Sequence, residues 1–298
     1  MKIKKTLKPL MLIFGIMLMT AAACPRTTAQ PAVTTPPAQG DTIEVMSQAM
    51  GRTIKNTVIV PAEYFDSVQA TYPVLYLLHG AQGCYNDWPR RANLDELTNQ
   101  HRIIIVCPDG QDSWYFDSPV DPKMQFETYV SKELVEYIDS HYRTRPNRYM
   151  RAITGLSMGG HGALFLAFRH PDVFWSCGSM SGCMDITQYP DSWHIKDRLG
   201  NRDDNLQRWR DHAVCNLVDQ VKDSPLKPAQ NIMFDDGLND IFIKNNIALH
   251  EQLVEKGIDH DFTVRPGRHS WDYWVNSLDY HLLFFDKAFA RGERILEQ

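Results

Sequence analysis

Short apolar runs alternate with longer, periodic segments along most of this chain. Six runs have the length and apolar content of strands, and they lie at 73–78, 103–107, 149–154, 174–180, 231–234 and 262–265. Four segments carry apolar residues at helical spacing, and they lie at 125–142, 161–168, 241–256 and 271–290. Strands that alternate with helices predict an α/β fold with a mostly parallel central sheet flanked by helices.

Two regions depart from this alternation. Segments 42–47 and 53–61 alternate apolar and polar residues around Met50-Gly51, which predicts an antiparallel strand pair at the start of the domain. Residues 184–227 are polar and irregular, and they hold Trp193 and Trp209. We interpret 184–227 as a small cap or insertion over the sheet, where connecting segments often determine specificity.

The first 23 residues have the features of a signal peptide. Four lysines precede a mostly apolar stretch at 9–20, and three alanines follow before Cys24. The stretch is shorter than the roughly 20 residues that cross a membrane. Either Cys24 is the lipid-modified first residue of a bacterial lipoprotein, which we favour, or 21–23 form an ordinary cleavage site. Both readings predict an exported protein.

Residues 24–40 are rich in Pro, Thr, Ala and Gln and lack hydrophobic periodicity, which is typical of a flexible tether. The remaining residues, 41–298, fit one α/β domain with a sizeable core.

The charge of the chain narrows the class of partner. The formal net charge is −5, and cleavage before Cys24 would remove four lysines and leave −9. An acidic chain of this kind argues against a nucleic-acid partner, because nucleic-acid binding needs a basic surface. The charge does not identify the substrate, which we expect to be a small molecule or a carbohydrate, with membrane contact only through the lipid anchor.

Five cysteines follow Cys24, and none is part of a CxxC pair. We therefore predict no metal site, and nothing in the chain indicates a cofactor. An odd number of cysteines leaves at least one free thiol or one intermolecular bond. Cys177 and Cys183 are close enough in sequence for a local disulfide, and buried free thiols are the alternative.

The strongest chemical signal is Gly155-Leu156-Ser157-Met158-Gly159, which lies between a predicted strand and a predicted helix. In this context a G-x-S-x-G sequence forms a sharp turn that exposes the serine hydroxyl above a sheet. The residues two positions to either side of the serine must be small for the turn to close. Ser157 is therefore the candidate nucleophile.

A nucleophilic serine needs a base, an acid that orients the base, and donors for the oxyanion. His269 follows the last strand and is the candidate base. Asp240 follows the glycine turn after the preceding strand and is the candidate acid, with Asp236 as the second choice. The backbone amides of Met158 and Ala81 are the candidate oxyanion donors.

Two aromatic residues, Trp114 and Tyr115, follow a predicted strand end near the expected site. They are tentative substrate contacts that would stack on an aromatic acyl group or a sugar, and a packed loop is the alternative.

The combination of motifs resembles the esterase D family of α/β-hydrolases, which includes feruloyl, acetylxylan and tributyrin esterases of the carbohydrate esterase family 1 type. The segments that carry the resemblance span nearly the whole domain and are 50–52, 74–80, 113–119, 155–163, 236–240 and 267–274. The resemblance implies Ser157 as nucleophile, Asp240 as acid and His269 as base, with oxyanion amides from Ala81 and Met158.

These observations together predict an exported serine carboxylesterase that acts on acetyl or feruloyl esters, with polysaccharides as a candidate alcohol. Two alternatives keep the same fold. One is an acyltransferase of the mycolyltransferase type, and the other is a non-catalytic surface binding module.

Overall fold

The computed structural model describes residues 40–227 and 229–298. The predicted signal peptide and the predicted tether up to residue 39, including Cys24, lie outside the described residues.

Eight strands form one sheet in the order β1-β2-β4-β3-β5-β6-β7-β8. Their bounds are β1 (Asp41–Ser47), β2 (Arg52–Ile59), β3 (Val74–Leu78), β4 (Ile104–Pro108), β5 (Arg151–Gly155), β6 (Ser176–Met180), β7 (Asn231–Gly237) and β8 (Asp261–Arg265). The pairs β1–β2 and β2–β4 are antiparallel, and every other neighbouring pair is parallel. The predicted mostly parallel sheet with an initial antiparallel pair is confirmed.

Helices connect the strands. Their bounds are α1 (Glu63–Asp66), α2 (Asp87–Arg91), α3 (Leu94–His101), α4 (Phe126–Thr128), α5 (Leu134–His141), α6 (Met158–Arg169), α7 (Ile195–Leu199), α8 (Leu206–Asp211), α9 (Val218–Lys222), α10 (Ile243–Lys256) and α11 (Trp271–Leu296). A π-helical turn, Tyr129–Glu133, joins α4 to α5, so the predicted helix at 125–142 is confirmed with a bulge. The helix predicted from residue 161 begins at Met158 in the structure. The sequence pattern places its start too late, because the intervening glycines have no side chains that could show helical periodicity.

The apolar core lies in two layers, one on each face of the sheet. Tyr76 and Leu78 of β3 face α6, whereas Leu75 and Leu77 of the same strand face α11. This alternation follows from the two-residue repeat of a strand. The two layers fix α6 and α11 on opposite faces, and both helices begin at the edge where the parallel strands end.

The insertion at 184–227 lies between β6 and β7 and consists mainly of α7, α8, α9 and two 3₁₀ turns at Ile186–Gln188 and Val214–Asn216. Ile195, Leu199 and Trp209 are fully buried and join the core layer that contains α6. The cap is therefore confirmed as a distinct segment, although it is helical and not irregular. Helices of five or six residues are too short to show periodicity in a sequence.

None of the helices in the described part of the chain combines the length and the apolar content that crossing a membrane requires. Cys177 and Cys183, the two candidates for a local disulfide, are both free thiols. Cys177 Sγ lies 3.7 Å from the Asn231 carbonyl, and Cys183 Sγ lies 3.8 Å from Asn245 Oδ1. The structure therefore has free thiols here in place of the local disulfide.

Candidate active site

Ser157 occupies a strained turn between β5 and α6. Its backbone has φ 55° and ψ −118°, a conformation that a residue with a side chain rarely adopts. The Ser157 amide donates to the Met180 carbonyl at 2.9 Å, and the Gly159 amide donates to the Leu156 carbonyl at 2.7 Å. These bonds hold the strained turn in place.

The two flanking glycines have no room for a side chain. A Cβ on Gly155 would lie 2.7 Å from both the Gly159 and the Leu78 carbonyl oxygens. A Cβ on Gly159 would lie 2.4 Å from the His79 carbonyl oxygen. The strand, turn and helix therefore approach closely only because these positions are glycine, as the sequence pattern predicts.

The structure brings the three predicted triad residues together. Ser157 Oγ lies 2.9 Å from His269 Nε2, and His269 Nδ1 lies 2.9 Å from Asp240 Oδ2. His269 comes from the loop after β8, and Asp240 comes from the loop after β7. The Asp240 side chain is fully buried, whereas the His269 side chain is 21% exposed. The carboxylate is thus shielded from water, and the imidazole reaches the surface beside the serine.

Asp240 has the contacts of an ionised carboxylate. The Phe242 amide donates to Asp240 Oδ1 at 2.9 Å, in addition to the two contacts from His269. Burial acts to raise the pKa of Asp240, but the hydrogen bond and charge of His269 outweigh it and bring the pKa below its usual value. The negative charge therefore resides where it can orient and stabilise the imidazole.

Asp236, the second candidate for the acid, is held by different partners. Its carboxyl group accepts a hydrogen bond from the Gly237 amide at 2.8 Å and another from Asn246 Nδ2 at 2.8 Å. Asp240, and not Asp236, is hydrogen-bonded to His269.

The two predicted oxyanion residues flank Ser157. Met158 is the first residue of α6, an end at which backbone amides lack intrahelical partners. The loop after β3 runs beside the serine, since a Cβ on Gly80 would lie 3.4 Å from Ser157 Cβ. Ala81 follows in that loop. Both backbones are therefore near the position that a substrate carbonyl would take.

His79 fixes the loop that contains Ala81. The Gly110 amide donates to His79 Nε2 at 2.8 Å, so Nε2 is the unprotonated ring nitrogen. His79 Nδ1 then donates to the Gly80 carbonyl at 2.7 Å. His79 is fully buried and has a structural role. The sequence alone shows only that it lies at a strand end.

Trp114 and Tyr115 do not present free rings to a substrate, which corrects the sequence-based expectation. Both are buried, with 1% and 0% exposure. Trp114 Nε1 donates to the Trp193 carbonyl at 3.0 Å, and the Tyr115 hydroxyl donates to the His79 carbonyl at 3.2 Å. These contacts make both residues part of the packing of the loops around Ser157, as the packed-loop alternative predicts.

Another aromatic residue, Phe242, lies next to His269, and two more pack against Phe242. We call Tyr189, Trp193 and Phe242 the aromatic trio. The Phe242 ring is 5.2 Å from the His269 ring, and the Tyr189 and Trp193 rings are 5.4 and 5.5 Å from that of Phe242. Tyr189 and Trp193 are only half-buried. Sequence reasoning missed this trio, because its members come from two segments that meet only in the folded chain.

Within residues 40–227 and 229–298, no group of three or more His, Cys, Asp or Glu side chains is arranged to hold a metal ion.

A serine on a sharp strand-to-helix turn above a mostly parallel sheet, hydrogen-bonded to a histidine from a later loop, defines a serine hydrolase of the α/β-hydrolase fold. Residues 47–285 match the model of the Esterase family, described as "Putative esterase", and the chain belongs to this family. It is thus a carboxylic ester hydrolase.

Known proteins support this assignment. An acetyl esterase of Caldicellulosiruptor saccharolyticus is 28% identical over 212 residues, which cover 67% of this chain and 78% of that protein. The solved structure of a ferulic acid esterase is 27% identical, with a TM-score of 0.70, and the match covers 84% of this chain and 98% of that one.

A third relative points to a different use of the fold. The diacylglycerol acyltransferase/mycolyltransferase Ag85A of Mycobacterium gordonae is 39% identical over 156 residues. The match covers 49% of this chain and 43% of that protein. This chain therefore matches less than half the length of that acyltransferase.

Proposed function

We propose that this protein is a serine carboxylesterase in which Ser157 is the nucleophile, His269 the general base and Asp240 the orienting acid. The observation that carries the proposal is the continuous chain of hydrogen bonds from the Ser157 hydroxyl through His269 to the buried Asp240 carboxylate. Each group has the position that its role requires.

In the first half-reaction, Ser157 Oγ attacks the ester carbonyl carbon while His269 Nε2 takes the hydroxyl proton. The carbonyl oxygen becomes negatively charged and accepts hydrogen bonds from the amides of Met158 and Ala81. Each such donor typically contributes about 3 kcal/mol to the stabilisation of the transition state. Asp240 stabilises the imidazolium that forms.

The tetrahedral intermediate then collapses. The bond between the carbonyl carbon and the alcohol oxygen breaks, and His269 gives its proton to the departing alcohol. A water molecule attacks the acyl-enzyme, again with His269 as base, and the carboxylic acid leaves as Ser157 regains its proton. Protonation of His269 at acid pH blocks both attacks, so activity should fall toward acid pH.

The proposed substrates are acetyl or feruloyl-type esters, including those on polysaccharides. An acetyl esterase and a ferulic acid esterase among the similar proteins support this range. The half-buried rings of Tyr189 and Trp193, which pack against the Phe242 ring beside His269, support contact with an aromatic acyl group or a sugar. Aromatic rings recognise such planar or apolar faces at low conformational cost.

Residues 1–24 support the further proposal that the enzyme is exported and anchored through a lipid on Cys24. Membrane attachment that is unchanged in the Cys24→Ala protein would contradict the anchor.

Transfer of the acyl group to another alcohol is the second candidate, because the mycolyltransferase relative has higher local identity than the acetyl esterase. The two functions share the acyl-enzyme and differ in the acceptor. Product analysis with and without a sugar acceptor separates them, since a transferase forms a new sugar ester whereas an esterase releases only free acid.

The test of the central proposal is hydrolysis by the purified protein of p-nitrophenyl acetate, a methyl feruloyl ester and acetylated oligosaccharides. We expect Ser157→Ala to lower kcat by about 10⁴-fold or more, as loss of a triad nucleophile does in serine hydrolases. Its thermal unfolding should remain close to that of the unaltered protein. Unchanged turnover in the variant would overturn the assignment of Ser157 as nucleophile.

A further inference from the structure

The strand β8 is an uncovered edge of the sheet. It is the last strand in the order and has a neighbour on one side only, β7. Three of its five residues, among them Thr263 and Val264, are exposed. An edge strand presents unpaired backbone amides and carbonyls, and proteins commonly protect such an edge with charges, a proline, a bulge or a covering segment. An exposed edge is therefore a surface to which another strand can be added.

The backbone groups of Phe262 and Val264 point away from β7. The Leu238 amide donates to the Arg265 carbonyl at 2.8 Å, so residue 265 turns its polar groups toward β7. This direction alternates along a strand, and Phe262 and Val264 lie an odd number of residues before Arg265. The outer side of β8 thus offers the amides and carbonyls of these two residues to a further strand.

The charges of β8 are complementary to those of a second, antiparallel copy of the same strand. Asp261 and Arg265 carry opposite charges at its two ends, and Thr263 lies midway between them. A pairing centred on Thr263 places Asp261 of each copy opposite Arg265 of the other. The Arg265 side chain uses Nη2 for its hydrogen bonds to Asp235 and Ser277 and is 16% exposed, so part of the guanidinium group is open to a second carboxylate.

The same centre also pairs the outward backbone groups. It places Phe262 of each copy opposite Val264 of the other, so that the two residues exchange their amide and carbonyl hydrogen bonds. A centre at Val264 would instead place Phe262 opposite Pro266, which has no amide hydrogen to donate. Centring the pair on Thr263 therefore satisfies the backbone and the charges together.

Apolar side chains on α10 extend this edge. The His250 ring stacks on the Phe262 ring at 5.0 Å, so this face of α10 lies over β8. Ile247 and Val254 are three residues before and four residues after His250, which puts them on the same face of the helix. They are 40% and 58% exposed, and Val264 of β8 is 38% exposed. Exposed apolar residues that cluster in this way mark a protein–protein contact surface.

The opposite edge of the described sheet lacks this complementarity. Its edge strand, β1, carries the acidic residues Asp41 and Glu44 and no basic residue. An antiparallel copy of β1 would bring like charges together, which destabilises strand pairing. Of the two edges, β8 is therefore the one suited to a second copy of itself.

We propose that two copies of this chain form a dimer through β8, with the two strands antiparallel about a two-fold axis at Thr263. The two eight-stranded sheets then form one continuous sheet, and the α10 helices meet along Ile247 and Val254. Specific interfaces bury about 1,200 Å² or more, and two short strands alone fall below this area, so the helix contact is part of the interface. The dimer does not depend on the function proposed for the triad, whose members all come from one copy.

A cysteine at the two-fold axis tests this arrangement. In a non-hydrogen-bonded antiparallel pair the Cα atoms are about 4.5 Å apart, which is within the range of disulfides. The full chain carrying Cys24→Ala and Thr263→Cys should therefore become a covalent dimer when treated with oxidised glutathione. Asp259→Cys is the matched control, since residue 259 is exposed just outside β8 and its two thiols would be about 26 Å apart. On a non-reducing gel, we expect most chains of the first variant and few of the second to be cross-linked.

A lysine on the apolar edge should separate the copies. Val264→Lys places an ammonium group against the second strand, and edge lysines prevent strand pairing. We expect its dimer dissociation constant to rise at least tenfold, while kcat per chain for p-nitrophenyl acetate stays unchanged because β8 holds no residue of the candidate site. Val120→Lys is the control, because Val120 is similarly exposed, at 47%, and lies outside the proposed interface.

Light scattering after size-exclusion chromatography, over a hundredfold range of concentration, should give twice the mass of one chain for the Cys24→Ala protein. A monomeric mass throughout overturns the proposal. Equal cross-linking of Thr263→Cys and Asp259→Cys also overturns it, since the dimer would then have another geometry. A monomer whose Phe262 and Val264 amides are protected from hydrogen exchange would mean that a segment of the same chain covers the edge, which contradicts the dimer as well. Failure of the proposed triad would appear in ester hydrolysis and leave these results unaffected.

Discussion

Two chains of hydroxyl, imidazole and carboxylate groups lie near the ends of β5 and β7, on opposite faces of the sheet. One is the candidate triad. In the other, Thr154 Oγ1 lies 2.8 Å from His281 Nδ1, and His281 Nε2 lies 3.2 Å from Asp235 Oδ2. All three members of this second chain are fully buried. On the face covered by α11, the same chemical groups in the same order are therefore out of reach of a substrate.

The adjacent residues Asp235 and Asp236 show what separates the two faces. Successive residues of a strand point to opposite sides, so the two carboxyl groups are buried in different surroundings. Arg265 Nη2 lies 2.5 Å from Asp235 Oδ2, and Ser277 and the Tyr273 hydroxyl also donate to Asp235. Asp236 faces a second carboxyl group instead.

The pKa values of the two residues shift in opposite directions accordingly. Burial acts to raise the pKa of Asp235, but His281, followed by Arg265 and Ser277, outweighs it and brings the pKa below its usual value. For Asp236, burial and Asp240 act in the same direction and raise the pKa. Equal burial thus goes with a lowered pKa on one face and a raised pKa on the other, because the partners of the two carboxyl groups differ.

The comparison is tested most strongly by removing the charge of Asp240. Asp240→Asn keeps an acceptor for the Phe242 amide but no longer favours the His269 tautomer with its proton on Nδ1. We expect kcat to fall by about 10⁴-fold, as for the corresponding change in other Ser-His-Asp enzymes, while the free energy of unfolding changes by less than about 1 kcal/mol. Steady-state hydrolysis and urea unfolding measure the two quantities. A kcat within tenfold of the unaltered enzyme would mean that Asp240 does not orient the base.

The matched change on the other face, Asp235→Asn, should have the opposite profile. It leaves Arg265 without its buried partner, so we expect the free energy of unfolding to fall by about 3 kcal/mol, a typical cost of breaking a buried ion pair. The kcat of the folded protein should stay within a fewfold of the unaltered enzyme. A stable variant that has lost its activity would show that the face covered by α11 takes part in catalysis.

The sign of the pH effect on stability follows from the lowered pKa of Asp235. The residue contributes stability above its unfolded pKa of about 4, and this contribution is lost as the pH falls through the folded value. The stability difference between the unaltered protein and Asp235→Asn should therefore shrink toward acid pH.

How much of this the sequence predicts depends on whether a feature is local. The strand-end positions of Ser157, Asp240 and His269 are visible as an apolar run followed by a turn, and the structure brings all three together. The relation between Asp236 and Asp240 is not visible, because it depends on which side of β7 each carboxyl group faces.

The aromatic residues show the same limit. Trp114 and Tyr115 follow a strand end, which in a sequence is compatible with either a substrate contact or a packed loop. Their backbones have φ of 58° and 61°, and this left-handed conformation turns both rings into the core. The aromatic trio, in contrast, depends on contacts between the cap and the loop after β7, which no local pattern reports.

The smallest predicted effect concerns this trio. Trp193→Ala removes a half-buried ring that packs against Phe242 beside His269, so we expect kcat/KM for a feruloyl ester to fall by about tenfold relative to the acetyl ester of the same alcohol. Trp193→Phe is the control, since it keeps an aromatic face, and it should retain most of the preference. An equal change for both esters would mean that Trp193 supports the fold and does not select the acyl group.

The most direct measurement of the central claim is covalent labelling of the folded protein by a fluorophosphonate, followed by intact mass and peptide mapping. We predict one adduct per chain, located on Ser157, absent in Ser157→Ala and formed far more slowly in Asp240→Asn, while Asp235→Asn is labelled at nearly the normal rate. An adduct on another residue, or ester hydrolysis by a protein that the probe leaves unlabelled, would contradict the account.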